Sequence, residues 1–293
     1  MVRKQAEHSA RDRVLRGLPV QERCLEVNGI ATVVLEGGQG PPLLLLLLHG
    51  GIECGGAVWA PVISHLAEHH RVVVPDVPGL GESAPVPQLT AAVFADWLAG
   101  LLRVTCDEQP TLLAHSLGGT LAARFAFQHG DLLQRLVLWA TPGIGPYRLP
   151  LGLLATAILF DLRPSDRNME RFDRWAFFDL DRTRQRDPEW FATFNAYNLA
   201  RGAVPHVKQT MRYLIKTCTK QVPDSELRRI EIPTALLWGR HDRFVPLRLG
   251  EGASSKLGWP LFVIDDTGRA PHIERAEAFL DALAAATLEL GRQ

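Results

Sequence analysis

The residue of this chain best placed to do chemistry is a serine at the junction of a strand and a helix. In Pro110-Thr-Leu-Leu-Ala-His-Ser-Leu-Gly-Gly119, four residues of strand character, Thr111 to Ala114, run into Ser116. A helix-forming segment, Leu117 to His129, follows with almost no loop between. That is the strand–turn–helix context a nucleophile elbow requires, in which a sharp, strained turn presents a side chain at its tip. The residues two before and two after the tip must be small so that strand and helix can approach; here they are Ala114 and Gly118. A serine hydroxyl is a poor nucleophile and needs a neighbouring base that is itself oriented by an acid. Around an elbow these follow in the chain order serine, acid, histidine. Asp242 is the first acid at a later strand end, with Asp265 and Asp266 as alternatives in a turn further on. Of ten histidines only His272 lies beyond Asp242, so the order leaves it as the sole imidazole available as base.

The elements that must position these residues alternate as strand and helix. Glu22 to Val27 and Ile30 to Leu35 are strand-like runs joined by Asn28-Gly29, a strong hairpin signal. Leu43 to Leu48 is a continuous apolar run, as expected of a strand buried on both faces of a largely parallel sheet. Val58 to Glu68 reads as a helix, Val72 to Val74 as a strand, Leu89 to Arg103 as a helix and Leu136 to Trp139 as a strand after the elbow. From Pro142 to about Val222 the alternation stops and the pattern is helical, rich in aromatics and arginine. It resumes with strands at Thr234 to Trp238 and Leu261 to Ile264, and helices at Leu247 to Lys256 and Ile273 to Leu290. The expected fold class is therefore α/β, with a mostly parallel central sheet flanked by helices. Residues 1–20 form an N-terminal arm, in which Arg3 to Arg16 read as a solvated helix or a disordered segment, 21–141 and 223–293 the core, and 142–222 a helical cap inserted over one sheet edge.

In an open parallel sheet, chemistry gathers beyond the carboxyl ends of the strands. Those ends carry His49-Gly50-Gly51, Asp76-Val-Pro-Gly-Leu-Gly-Glu-Ser83, His115-Ser-Leu-Gly-Gly119, Gly239-Arg-His-Asp242 and the segment from Gly268 to Glu274. Together, and in this order, they resemble the α/β-hydrolase superfamily from about residue 22 onwards. The resemblance implies Ser116 as nucleophile and Asp242 as the triad acid. It also implies an oxyanion hole from the backbone N–H of Leu117 and one from the His49-Gly-Gly loop, Gly51. One position departs from the pattern. Members place the base directly after the glycine, where this chain has Gly268-Arg269. Arginine does not deprotonate in a protein and cannot be a general base. Either His272 swings into the gap, or the triad is broken, with Arg269 paired to Asp242 and Ser116 left unactivated.

Composition narrows the function classes. Lys plus Arg and Asp plus Glu number 32 each, which leaves no basic footprint for nucleic acid. Four scattered cysteines suggest neither a zinc site nor a disulfide framework, and fit a cytoplasmic protein. No cofactor or metal motif appears, the arm has no secretory character, and the longest apolar run, Leu149 to Phe160, is too short for a membrane span. The oligomeric state is not encoded legibly. The cap residues Trp175, Phe177, Phe178, Trp190, Phe191, Phe194 and Tyr197 lie among arginines and point to a moderately hydrophobic small-molecule substrate. The leading expectation is a serine hydrolase of carboxylic esters or related acyl compounds, working through an acyl-enzyme. The alternatives are a hydrolase that cleaves carbon–carbon bonds of vinylogous diketones from aromatic-ring breakdown, or a non-hydrolytic protein on the same scaffold. The first draws on Gly143-Ile-Gly-Pro146 and the Trp238 to Pro246 segment, with His115 standing where those enzymes tend to carry Asn; the second draws on Arg269.

Overall fold

The computed structural model describes residues 10–48 and 55–292. Asn28 and Gly29 both take positive φ, 51° and 79°, the turn that matches the twist of two paired strands. They join β1, Val20–Val27, to β2, Ile30–Gly37, in antiparallel register from Val20 opposite Gly37 to Val27 opposite Ile30. The leucine run is β3, Pro42–Leu48. It lies between β4, Arg71–Pro75, and the elbow strand β5, Thr111–Ser116, parallel to both. The sheet is completed by β6, Arg135–Trp139, β7, Thr234–Gly239, and β8, Leu261–Ile264. Its eight strands run in the order β1-β2-β4-β3-β5-β6-β7-β8, all parallel from β4 to β8. The α/β architecture is as expected from the sequence, and the strand boundaries move by no more than a few residues.

Helices Ala60–His69, Ala91–Thr105, Leu117–His129, Arg248–Leu257 and Ala276–Leu290 cover the sheet. Trp59, Trp97, Trp139 and Trp238 are completely buried beneath them. Between β6 and β7 lie five longer helices, Leu151–Leu162, Asp166–Ala176, Leu180–Arg186, Pro188–Gly202 and Pro205–Cys218. Among the described residues that block contains no strand. No helix is long and apolar enough to cross a membrane, among the residues described.

The N-terminal arm differs from its expected solvated character. Ala10, Arg11 and Val14 are buried. Arg11 Nη1 lies 3.1 Å from Asp76 Oδ2 and donates to the Tyr197 hydroxyl at 3.0 Å, while Nε donates to Glu22 at 2.6 Å. Asp76 also accepts the N–H groups of Gly56 and Glu82, at 2.6 and 2.8 Å. A Cβ at Gly81, whose φ is +50°, would stand 2.2 Å from Asp76 Oδ2, so the glycine lets the loop close over the carboxylate. A charge count of the arm cannot show this, because the buried carboxylate beside Arg11, Asp76, lies 65 residues away.

Candidate active site

The elbow is formed as the sequence predicts. Ser116 closes β5 at φ 60° and ψ −125°, a strained conformation for a residue with a side chain, and the helix begins at the next residue. The second glycine after the serine is tightly held: a Cβ on Gly119 would lie 2.0 Å from Thr141 Oγ1. Thr141, two residues beyond the end of β6, thus packs against the elbow helix. The N–H of Leu117 belongs to the first helical turn, where no carbonyl of the helix lies in reach. Gly51, expected to supply a second oxyanion donor, lies outside the described residues.

Asp242 is buried beyond the end of β7. Its Oδ1 accepts the N–H groups of Phe244 and Val245 at 2.7 and 2.9 Å, which fixes the carboxylate plane. Its Oδ2 accepts Arg269 Nη1 at 3.0 Å. Asp265 and Asp266, the alternative acids, instead pair with Arg240 and Arg275 at the surface.

Arg269, not His272, stands between the serine and the aspartate. Its Nη2 donates to Ser116 Oγ while Nη1 holds Asp242, so one guanidinium bridges both. Its backbone is pinned from two sides. The Arg269 N–H donates to the Ala176 carbonyl at 2.7 Å, and the preceding Gly268 N–H donates to Glu274 at 2.8 Å. Glu274 also accepts the Phe178 N–H, at 2.7 Å, and so ties this loop to the helical block. Burial pushes the Glu274 carboxyl up to about 7, although its backbone donors oppose the shift. The face of Phe244 covers the guanidinium, with 5.0 Å between Cζ and the ring centroid. Burial pushes Asp242 up and Arg269 down, and the charge of each partner opposes the other's shift. The guanidinium retains its proton, so the two form a buried ion pair.

His272 lies in the short helix Pro271–Glu274 and is buried in the core. Its ring centroid is 5.3 Å from that of Trp59, 4.8 Å from Trp139 and 5.9 Å from Phe279. Burial in this aromatic cage lowers it from 6.5 to about 3, with only a modest opposing effect from the Val58 backbone. The expectation that His272 swings into the gap is therefore corrected. Chemistry favoured the imidazole, but the loop holds the residue directly after Gly268 at the serine. His115, next to Ser116, is buried and stacks on Trp139 with 3.9 Å between centroids.

Ser116 and Arg269 line a cavity of about 320 Å³. Pro142, Leu149, Leu153, Phe160, Phe172 and Met211 are among the apolar residues that line it. Tyr147 also lines it, and burial pushes the phenol up to about 12. Glu274 and Tyr147 were not singled out from the sequence; the Gly268 to Glu274 spacing was the available signal for the first, and none marks the second. Among the described residues, no group of three His, Cys, Asp or Glu is placed to hold a metal ion.

A sequence profile of the alpha/beta hydrolase fold matches residues 44–276. An uncharacterised protein of Mycobacterium tuberculosis is 34% identical over 142 residues, a match covering 45% of this chain and 41% of that protein, so the chain spans under half the relative's length. A 2-hydroxymuconate semialdehyde hydrolase of a Pseudomonas species is 26% identical over 261 residues, covering 86% of this chain and 88% of that one. Among solved structures, a carboxylesterase of Bacillus subtilis superposes with a TM-score of 0.81 at 19% identity, over 98% of this chain and 99% of the other. With the strand order, the elbow and a profile match over most of the chain, the protein belongs to the α/β-hydrolase family.

Proposed function

We propose that this protein is a serine hydrolase of carboxylic esters or related acyl compounds, with Ser116 as nucleophile and an acyl-enzyme intermediate. Proton removal, rather than binding, is its slow step. The observation that carries this reading is the Ser116–Arg269–Asp242 row, two of whose members line a largely apolar cavity. Ser116 Oγ attacks the ester carbonyl carbon. The Oγ–C bond forms, the bond to the leaving oxygen breaks, and the first-turn N–H of Leu117 faces the developing oxyanion. The cationic Arg269 favours the alkoxide form of Ser116 but donates to Oγ and takes no proton from it. That proton leaves through water. With a leaving group that departs as an anion, acylation needs no acid. Deacylation differs, because the attacking water must lose a proton and Asp242 is engaged by three donors. The acyl-enzyme should therefore accumulate.

The test is a pre-steady-state burst with p-nitrophenyl esters, read together with intact mass. Expected are one equivalent of nitrophenolate per chain, an acyl adduct on Ser116, and slow turnover afterwards. Absence of an adduct, with the same rate in Ser116→Ala, would sink the proposal. A second reading, carbon–carbon hydrolysis of a vinylogous diketone, is favoured by the resemblance to the 2-hydroxymuconate semialdehyde hydrolase over most of both chains. Turnover of such a diketone without any ester burst would select it.

A further inference from the structure

The helix Leu151–Leu162 is apolar on every side. Leu153 and Phe160 are buried and line the cavity. On the opposite side, Leu151, Leu154, Ala155, Ile158, Leu159 and Leu162 are all exposed, Leu151 by 83% and Leu162 by 73%. Their spacing of i, i+3, i+4, i+7, i+8 and i+11 makes one continuous outward stripe. A helix that is apolar all round needs an apolar medium on both faces, and a contiguous exposed patch of this kind marks an interaction site.

The charges around the stripe say which medium. Arg148 and Arg163 are exposed at its two ends. Lys208, Arg212 and Lys216, on the helix Pro205–Cys218, also line the cavity. Asp161 is the only ionisable residue of the Leu151–Leu162 helix. It is engaged by Arg212, whose Nε donates at 3.2 Å, and its backbone carbonyl accepts from Lys208. An apolar stripe framed by cations complements a bilayer surface of anionic lipids, with leucines among the acyl chains and basic groups at the headgroups. At 12 residues the helix is too short to span and is suited to lie in the interface.

We propose that the Leu151–Leu162 helix docks this protein on an anionic membrane surface. Leu154 and Ile158 face outward and also line the cavity, so the cavity opens beside the docked face. The docking surface stands whatever the reaction. That acyl compounds dissolved in the bilayer reach Ser116 through this opening rests on the function proposed above.

Flotation of the full chain with phosphatidylcholine vesicles, with and without phosphatidylglycerol, tests it. The wild type should float with the anionic vesicles and less with the neutral ones. Leu159→Glu combined with Leu162→Glu, both at exposed positions outside the cavity wall, should weaken that binding by on the order of tenfold or more while leaving the melting temperature unchanged. Ser116→Ala should float like the wild type, so failure of the serine-hydrolase reading leaves this result readable. No flotation of the wild type, or undiminished flotation of the double variant, would overturn the proposal. A dimer in sedimentation equilibrium that the double variant dissociates, with no vesicle binding, would give the stripe to a second copy of the chain instead.

Discussion

Arg269 and His272 are three residues apart, both fully buried, and their surroundings are exchanged relative to their chemistry. The side chain that can act as a base is enclosed by Trp59, Trp139 and Phe279, where carrying a proton is costly. The side chain that cannot act as a base touches the serine and the aspartate. The loop between β8 and the helix Pro271–Glu274 explains the difference. Backbone bonds from Gly268 to Glu274 and from Arg269 to Ala176 fix which residue faces the serine, whatever its type. At residue 272 the chain has already entered a helical turn, and the side chain is delivered to the core. The position specifies the role, and the residue type specifies whether the role can be performed.

The largest expected effect comes from restoring a base at the position the loop presents. Arg269→His places an imidazole between Ser116 and Asp242, and general-base assistance is worth about 10²–10⁴-fold. Steady-state hydrolysis of p-nitrophenyl esters should rise by that order. An unchanged rate would mean that the loop does not aim residue 269 at the serine during turnover.

Next in size is the stability held in the ion pair. Arg269→Leu leaves Asp242 buried with its two backbone donors but no cation, and stranding a buried charge costs about 3–5 kcal/mol. Urea unfolding should show a loss of that order at neutral pH. The double variant Arg269→Leu with Asp242→Asn should recover much of it. A single variant as stable as the wild type would show that the carboxylate is already neutral in the folded protein.

How far the site could be read from the sequence follows the same division. The placement of Ser116 and Asp242 beyond strand ends was legible because it rests on local signals, such as small residues beside a turn, apolar runs and glycines at loop starts. The sheet was legible for the same reason, down to the Asn28-Gly29 turn. The fate of residues 269 and 272 was not, because it depends on Glu274 and Ala176 reaching back to the loop from the chain's last helices and from the helical block. Sequence reasoning could state the two arrangements and the chemistry of each; only the packing of distant segments decides between them. The arm failed similarly, since Arg11 reads as solvated until Asp76, Tyr197 and Glu22 are assembled around it.

The smallest expected effect isolates the caged imidazole. His272 should contribute nothing to acylation, so His272→Leu should give the same nitrophenolate burst as the wild type. Its effect should appear instead as pH-dependent stability. Folded, the imidazole is held down near 3, while in the unfolded chain it titrates at its ordinary 6.5. Between these values the unfolded state binds a proton that the folded state does not, so this residue's contribution is complete above 6.5 and declines as the pH falls. At pH 5 the loss is about 2 kcal/mol, one and a half pH units below the unfolded value at about 1.4 kcal/mol per unit. Leucine carries no proton in either state. Any packing penalty from the swap should be the same at both pH values and cancel in the comparison. The stability of His272→Leu relative to the wild type should therefore rise by that amount between pH 7.5 and pH 5, read from urea midpoints. A difference that does not change with pH would mean that the imidazole is reached by water or protonated in the folded protein. That result would reopen its movement toward Ser116.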